Sequence, residues 1–396
     1  MWRTTCVRED TGEVTVLENR ELYDDTHAHL RDVVRRFVAA EIAPNFDAWE
    51  RAGIVDRTLW GKLGETGLLC PTVSQDYGGI GEDFRMHTVI AEELAYSGFM
   101  GPAADVSVHS DVCLGYIRSQ ANDEQKTRWL PGMVDGSLVC AIAMTEPGTG
   151  SDLQGIRTTA RRDGDDWVIN GAKTFISNGQ HADLVIVVTR TGEGRGMGHM
   201  SLIVVETDRA GFAKGRNLDK LGQISADTSE ISFTDVRVPV ANTLGAEGQA
   251  MGILMTELPQ ERLIIGVTSI SAAQKAFDIT LDYVRERQAF GKAIADFQVT
   301  RHKLADMATE LSVGWAFIDQ CIRRHVRGEL TTYDASKAKL WATELQGRVV
   351  DACVQLHGGY GFMREYEITR LYADARVQRI YGGTSEIMKE LIARNL

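Results

Sequence analysis

The sequence predicts a mainly α protein with a central β-domain, and three observations carry that expectation. From about residue 21 to 136, apolar residues recur every three or four positions; Leu30, Val33, Val34, Phe37 and Val38 form one such stripe, the mark of a helix with one buried face. From about 137 to 246 the texture changes to β-branched runs bounded by turn residues, Leu184-Val-Ile-Val-Val188 and Leu202-Ile-Val-Val205. From 247 to 396 long helical periods return, and stretches longer than about 25 residues without internal caps point to a helical bundle. Residues 1–20 show no sustained period and read as an extended or loosely ordered arm.

In chain order, Pro44 ends or bends the first helix, and Trp60, Leu63, Leu68 and Leu69 carry a second one up to Pro71. Gly78-Gly79-Ile80-Gly81 is a turn, Phe84–Tyr96 an amphipathic helix, and Glu124–Leu130 a short helix closed by Pro131-Gly132. In the middle segment, Trp167–Ile169 and Thr174–Ile176 flank Asn170-Gly171, a strong hairpin signal. Glu230–Val236 alternates like a strand with one wet face, and Gly192–Gly198 is a glycine-rich tip. The last segment reads as helices over Met251–Gln288, Phe297–Val326, Thr332–Leu356 and Ile368–Gln378, with another from Ser385. Pro259 removes one backbone donor and crowds the carbonyl four residues back, so the first of these should kink or restart there.

Composition narrows the function classes. Lys+Arg 43 against Asp+Glu 55 leaves a net charge of −12, which argues against a nucleic-acid or anionic-membrane partner. Six cysteines lie scattered without a CxxC pair and read as reduced and mostly buried. His27 and His29 form only an HxH, read as an exposed helical pair, so no metal site is expected. No apolar run approaches the ~20 residues of a membrane span, and the acid-rich start fits neither a signal nor a transit peptide. The expectation is a cytoplasmic protein.

Two stretches carry chemistry. Leu258-Pro259-Gln260-Glu261-Arg262 puts a carboxylate beside a proline within an apolar helical run. Burial there disfavours the charged form and raises the pKa, which suits a general base; the alternative is a solvated helix-surface acid. Ala143–Asp152 (AMTEPGTGSD) leaves a strand beginning near Val139 and gathers hydroxyls and free N–H groups in a glycine-rich turn. Such a turn can wrap a polar heterocycle or cradle phosphate oxygens, although it is not the GxGxxG fingerprint and opens into no obvious helix.

AMTEPGTGSD, Phe175-Ile176-Ser177-Asn178-Gly179, Arg287–Lys292 (RQAFGK), Gln355–Gly359 (QLHGG) and Tyr381–Glu386 (YGGTSE) together resemble the acyl-CoA dehydrogenase family. They occur in the family's order and at compatible spacing, from about residue 25 to the C-terminus. The resemblance implies an N-terminal helical domain, a small β-barrel or sandwich domain and a C-terminal four-helix bundle. It also implies FAD, an acyl-CoA substrate, an electron-transferring flavoprotein as acceptor and a homotetramer.

Residue by residue, the resemblance places Ile142, Ala143, Met144, Thr145 and Ser151 along the flavin, with Thr145 bonding the ring and Ser151 also contacting the CoA arm. Phe175, Ile176 and Ser177 match the segment near flavin N5, where the family often has Trp and Thr. Arg287, at the pyrophosphate, and Gln298 match residues reaching a neighbouring subunit's FAD; Gln355, Leu356, His357, Gly358 and Gly359 match adenosine-side contacts across the same interface. Thr384, Ser385 and Glu386 match FAD contacts at a helix start. Taken singly, Arg287 would be a surface residue, Gly358-Gly359 a helix C-cap and Glu386 compensation for a helix dipole.

The departure is Gly382, because many members carry the catalytic glutamate after that tyrosine. The long-chain and isovaleryl branches place the base on the internal helix instead, where Glu261 stands. Glycine at 382 leaves room for that carboxylate, and its N–H can polarise a thioester carbonyl. Pro259, Gln260, Arg262 and Gly383 complete the implied substrate-side set. The implied activity is dehydrogenation of an acyl-CoA to a trans-2-enoyl-CoA, with Glu261 as base and flavin N5 as hydride acceptor. The chain most resembles the long-chain branch, although Gly252 stands where long-chain relatives can carry an aromatic residue. The alternatives are an isovaleryl-type enzyme, a same-fold flavin oxidase or monooxygenase, and a non-catalytic flavoprotein.

Overall fold

Alternating burial along two strands explains how the layers stack. The computed structural model describes residue 17 and residues 20–193 and 197–396; most of the 1–20 arm and the centre of the Gly192–Gly198 tip lie outside the described residues. The N-terminal part is helical: α1 (Asp25–Phe37), α2 (Phe46–Ala52), α3 (Thr58–Glu65), α4 (Phe84–Tyr96), α5 (Met100–Ser107), α6 (Leu114–Gln120) and α7 (Asp123–Asp135). Wider π-helical turns follow α1 at Val38–Ile42 and join α5 to α6 at Val108–Cys113.

The middle part holds β1 (Cys140–Ala143), β2 (Thr159–Asp163), β3 (Asp166–Ser177), β4 (Leu184–Arg190), β5 (Met200–Glu206), β6 (Phe212–Asn217), β7 (Thr228–Pro239) and β8 (Thr243–Leu244). They form one sheet in the order β6-β7-β3-β2-β4-β5-β8, with β1 parallel on β4. On β4 and β5, Leu184, Ile186, Val188, Leu202 and Val204 face the N-terminal helices, whereas Val185, Val187, Ile203 and Val205 fill the sheet's other core. Both faces are covered, so these strands read as unbroken apolar runs. Each such side chain contributes about 1.5–3 kcal/mol on burial.

The last part is α8 (Ala250–Glu286), a small hairpin of β9 (Gln288–Ala289) and β10 (Lys292–Ala293), then α9 (Gln298–Val326), α10 (Thr332–His357), α11 (Glu367–Gln378) and α12 (Ser385–Ala393). Helix α8 belongs to both helical layers: Ala250, Ile253 and Leu254 join the N-terminal core, and Leu263, Ile264, Val267 and Ile270 join the bundle core.

Several local expectations need correction. Asn170-Gly171 is no hairpin: β3 runs straight through, paired with β7 on both sides, with a register shift between Ile169 and Gly171. Gly171 is needed for close approach, since a Cβ there would lie 2.4 Å from Thr158 Oγ1, and the β2–β3 reversal occurs instead around Gly164 (φ +65°). Helix α7 continues past Pro131 to Gly136, whose φ of +77° supplies the stop. Helix α8 likewise neither stops nor restarts at Pro259, because packing against both layers outweighs one lost backbone hydrogen bond. His27 is buried beside Asp24 rather than exposed. Leu17 and Arg20, at the end of the arm, are buried. Five cysteines (70, 113, 140, 321, 353) are free and buried, and no metal-binding group of His, Cys, Asp or Glu occurs among the described residues. No described helix is long and apolar enough to cross a membrane.

A buried ion network pins the arm to the helices. Glu92 on α4 accepts from Arg20 Nη1 (2.6 Å), Arg31 Nη2 (2.5 Å) and Tyr23 Oη (2.7 Å), while Arg20 also donates to Asp319 on α9. Burial opposes ionisation of Glu92, but Arg20, Arg31 and the Tyr23 hydroxyl outweigh it and hold the carboxyl below its ordinary value. Such a group adds stability above its unfolded pKa and loses it as pH falls through the depressed folded pKa. Replacing Glu92 with Gln removes the counter-charge that Arg20 and Arg31 share, leaving them Asp319 and Glu93, and is expected to cost about 2–3 kcal/mol in urea unfolding at pH 7. The deficit relative to wild type should shrink as the pH is lowered below about 4, where the native carboxyl protonates; a loss under about 1 kcal/mol at pH 7 would contradict this reading.

Candidate active site

The site centres on the middle of α8, where two helical layers meet. Glu261 is 7% exposed, and its Oε1 accepts a 2.5 Å hydrogen bond from Tyr116 Oη on α6. Burial pushes its carboxyl up to about 7, with the Tyr116 hydrogen bond and Arg262 opposing and Glu257 adding to the rise. The next residues fasten the two layers: Gln260 Nε2 donates to Asp111 O (2.7 Å) in the π-helical turn, and Ser119 Oγ donates to Glu257 Oε1 (2.7 Å). Gln260, expected on the substrate side, thus spends its amide on the scaffold.

Gly382 and Gly383 form a tight turn before α12, with φ of +63° and +99°. Arg262 Nε donates to Gly382 O (3.3 Å), and Lys339 Nζ on α10 donates to Gly383 O (2.5 Å). Burial, aided by the Arg262 charge, lowers the Lys339 amine to about 8. A Cβ on Gly382 would sit 2.4 Å from Ile265 Cδ1. Ile265 lies one helical turn beyond Glu261 on the same face, so the Gly382 turn packs against α8 one turn from Glu261.

The glycine-rich loop after β1 is held by its acid. Glu146 Oε2 accepts from Arg157 N (2.7 Å), and Oε1 from Thr158 N (2.9 Å) and Lys173 Nζ (2.9 Å). Lys173 also donates to Met144 O (3.0 Å), and Thr174 N to Thr145 O (3.0 Å). Burial lowers the Lys173 amine to about 8 against the pull of Glu146. The loop is therefore fixed from beneath. The hydroxyls of Thr145 and Ser151 make no hydrogen bond among the described residues.

Beside this loop Phe175 has φ +60° at the register shift between Lys173 and Ile176, and the residue is 66% exposed. A bulky residue in that conformation costs about 1–3 kcal/mol, and such strain clusters at ligand sites. Ala143 and Ile176 point into cores, so only their backbones are available to a ligand. Ile142, Met144 and Ser177 stay half-buried.

A second group gathers where α8 ends. The Arg287 guanidinium lies 5.5 Å from the Tyr360 ring, Tyr283 stacks on His357 at 4.2 Å, and Gly358 (φ +60°) closes α10. Gln298, Gln355, Gly358 and Gly359 are exposed, and a Cβ on either glycine would meet nothing within 4 Å. Phe290 at the β9–β10 tip is 96% exposed and Phe362 82%. His357 itself is buried, with Nδ1 2.9 Å from Cys353 O, and Leu356 packs against the bundle core; both position the turn with their side chains turned inward. Twenty-six residues of helix separate Glu261 from Arg287, about 39 Å at 1.5 Å per residue.

At the start of α12, Thr384 Oγ1 caps Ile387 N (3.3 Å). Ser385 donates its hydroxyl to Glu344 Oε1 (2.6 Å) and its N–H to Arg379 O (3.1 Å), which leaves the hydroxyl oxygen as an acceptor. Glu386 is exposed, and hydrogen bonds from its own helix start and from Thr384 hold its carboxyl below the ordinary value. Sequence reasoning passed over Tyr116, Lys339 and the Glu146–Lys173 pair. Lys173 had a signal, a lone charge at an inward position of β3.

Family models match in sequence: "Acyl-CoA dehydrogenase, N-terminal domain" over residues 24–137, "middle domain" over 141–236 and "C-terminal domain" over 248–396. The chain is 47% identical over 386 residues to the mitochondrial long-chain specific acyl-CoA dehydrogenase of Sus scrofa, covering 97% of this chain and 89% of that protein. It is 33% identical to the mitochondrial isovaleryl-CoA dehydrogenase of Oryza sativa subsp. japonica, covering 95% and 92%. Among solved structures, an acyl-CoA dehydrogenase from Geobacillus kaustophilus superposes with a TM-score of 0.92 at 45% identity, covering 94% of this chain and 98% of that one. A glutaryl-CoA dehydrogenase from Mycobacterium smegmatis in complex with FADH2 gives 0.88 at 29% identity, covering 96% of each.

The Glu146–Lys173 pair supplies a test of the loop. Glu146→Gln leaves a buried ammonium without its counter-charge and is expected to cost about 3 kcal/mol in urea unfolding. Lys173→Met, which removes the stranded charge from that variant, should recover part of the loss. A single variant as stable as wild type would contradict the anchoring role.

Proposed function

The chain belongs to the acyl-CoA dehydrogenase family, and from that premise we propose that Glu261 is the base that takes the α-proton of a long-chain acyl-CoA thioester. The reaction is FAD-dependent α,β-dehydrogenation of an acyl-CoA. When bound, FAD supplies the acceptor for the hydride that leaves the β-carbon. The residues present fit that group: an exposed aromatic held in a strained conformation at Phe175, an unspent hydroxyl at Thr145, and open glycines at 358 and 359.

The observation that carries the reading is the burial of Glu261 one helical turn from Ile265, against which Gly382 packs. A carboxylate in water is too weak a base for a thioester α-proton, and burial that raises its carboxyl to about 7 strengthens it while leaving a useful fraction ionised near neutral pH. The Gly382 N–H is the donor we assign to the thioester carbonyl, stabilising the negative charge that develops as the proton leaves. Arg262 and Lys339 hold that turn by its two carbonyls, which leaves its N–H groups for the substrate. Thr145 and Ser151 are assigned to the flavin and the CoA arm.

The greater identity to the pig long-chain enzyme than to the rice isovaleryl enzyme supports long-chain acyl-CoA as substrate. The open space at Gly252, where a Cβ would meet only Gln249 Oε1 at 3.8 Å, suits a bulky chain. The separation of Arg287 from Glu261 along α8 supports a second subunit, with Arg287, Gln298 and Gln355–Gly359 serving a neighbour's FAD; a guanidinium fork suits a pyrophosphate. We assign a homotetramer with an electron-transferring flavoprotein as acceptor. An acidic surface fits an aqueous compartment, the cytoplasm in the reading above, while the pig relative carries a mitochondrial name.

Anaerobic single-turnover reduction of the FAD-loaded protein tests these assignments. Long straight-chain acyl-CoAs should reduce it faster than isovaleryl-CoA, and the rate should rise with pH through about 7 as Glu261 ionises. Glu261→Gln should slow reduction by about 10²–10⁴-fold; a variant reducing at the wild-type rate would remove Glu261 from the mechanism. Moving the base to residue 382 should restore little by itself, because φ of +63° and the Ile265 contact oppose any side chain there. Rescue of Glu261→Gln by Gly382→Glu is expected only when Ile265→Ala is added.

A further inference from the structure

We propose that Tyr116 is a positioning residue for Glu261, its phenol holding Oε1 so that Oε2 is the oxygen that takes the substrate proton. The inference rests on Glu261 being the base. Tyr116 is fully buried, and its hydroxyl lies 2.5 Å from Oε1, whereas Oε2 accepts no hydrogen bond among the described residues.

The backbone around Tyr116 is shaped to bring that hydroxyl in. The π-helical turn Val108–Cys113 precedes α6 and shifts the face that follows it; such insertions recur at functional sites. Within that turn Asp111 offers its carbonyl to Gln260, the residue just before the base. At Gly115 α6 comes close to α8: a Cβ there would stand 2.9 Å from Glu257 Oε2, the mobile end of that side chain. The next residue, Tyr116, reaches Glu261 across this approach. Ser119 then closes the contact on Glu257. Three side-chain bridges thus tie α8 to the π-helical turn and α6, and the middle one ends on the carboxylate.

The phenol can donate to an ionised carboxylate, so it favours the charged form against burial. The other groups facing Glu261 are Cys113 on the π-helical turn, and Glu257 and Arg262 on its own helix; Lys339 on α10 faces Arg262. Burial and Glu257 push the carboxyl up, while Tyr116 and Arg262 hold it down. With the hydroxyl gone, fewer groups oppose burial, and Glu261 ionises at higher pH. A fixed Oε1 also removes rotational freedom from the base, as positioning of a reacting group requires.

Tyr116→Phe keeps the ring and deletes only the donor. In the FAD-loaded variant, the rising limb of the anaerobic reduction rate should move up by about 1–2 pH units, since a hydrogen bond to a charged group is worth that much ionisation. At pH 7 reduction should then be about 5- to 50-fold slower, with the acyl-CoA dissociation constant within about twofold of wild type. Infrared titration of the Glu261 carboxyl band, identified by its loss in Glu261→Gln and readable without cofactor, should move in the same direction. A limb and a band both unmoved in Tyr116→Phe, while Glu261→Gln abolishes reduction, would reduce Tyr116 to packing and overturn the proposal. Normal reduction by Glu261→Gln would instead overturn the base assignment on which the proposal stands.

Discussion

Keeping one carboxylate buried yet able to ionise is the constraint on which the rest of the structure depends. An isolated charge in a dry interior is strongly disfavoured, so Glu261 needs a dry wall and a few polar partners in fixed places. Helix α8 supplies both by running through two cores without a break. Its first turns pack against the N-terminal helices and sheet, and its later turns against the bundle. Glu261 falls at the changeover, with Tyr116 from one layer and the Gly382 turn, tied through Arg262, from the other.

The remaining parts of the site are held by the same device, a buried polar pair under an exposed working surface. Glu146 and Lys173 clamp the underside of the glycine-rich loop, leaving the Thr145 and Ser151 hydroxyls unspent on top. Phe175 stores backbone strain and stands exposed, which is economical only if a ligand covers it. The Glu92 network performs the comparable task far from the chemistry, binding the arm to α1, α4 and α9. Buried charge in this chain is thus used repeatedly to fix geometry, and at Glu261 alone is the balance proposed to serve proton transfer.

Much of this was legible in the sequence because the relevant signals are local. The period of Phe84–Tyr96 and of the long C-terminal helices is a property of consecutive residues, and those elements lie where the pattern puts them. The double burial of β4 is visible in Leu184–Val188. Proline and Asn-Gly misled for a shared reason: Pro131, Pro259 and Asn170-Gly171 each carry a local preference that packing on both sides overrides. The pairing of Glu261 with Gly382 was readable only through a family resemblance. Residues more than a hundred positions apart leave no periodic trace of their contact. Tyr116 was invisible for that reason too, and because a π-helical turn displaces the face that a regular period would assign to it. That Ser385 donates its hydroxyl to Glu344 is equally unreadable in the sequence.

The central claim is that Glu261 removes the α-proton, and exchange of that proton with solvent isolates the step from hydride transfer. The FAD-loaded protein would be incubated anaerobically in D2O with a long-chain acyl-CoA analogue that cannot lose its β-hydride, and deuterium at the α-carbon followed by mass spectrometry. The account predicts exchange by the wild type with a rate that rises through about pH 7, and a rate at least about 10²-fold lower in Glu261→Gln. Equal exchange by the two proteins would contradict it.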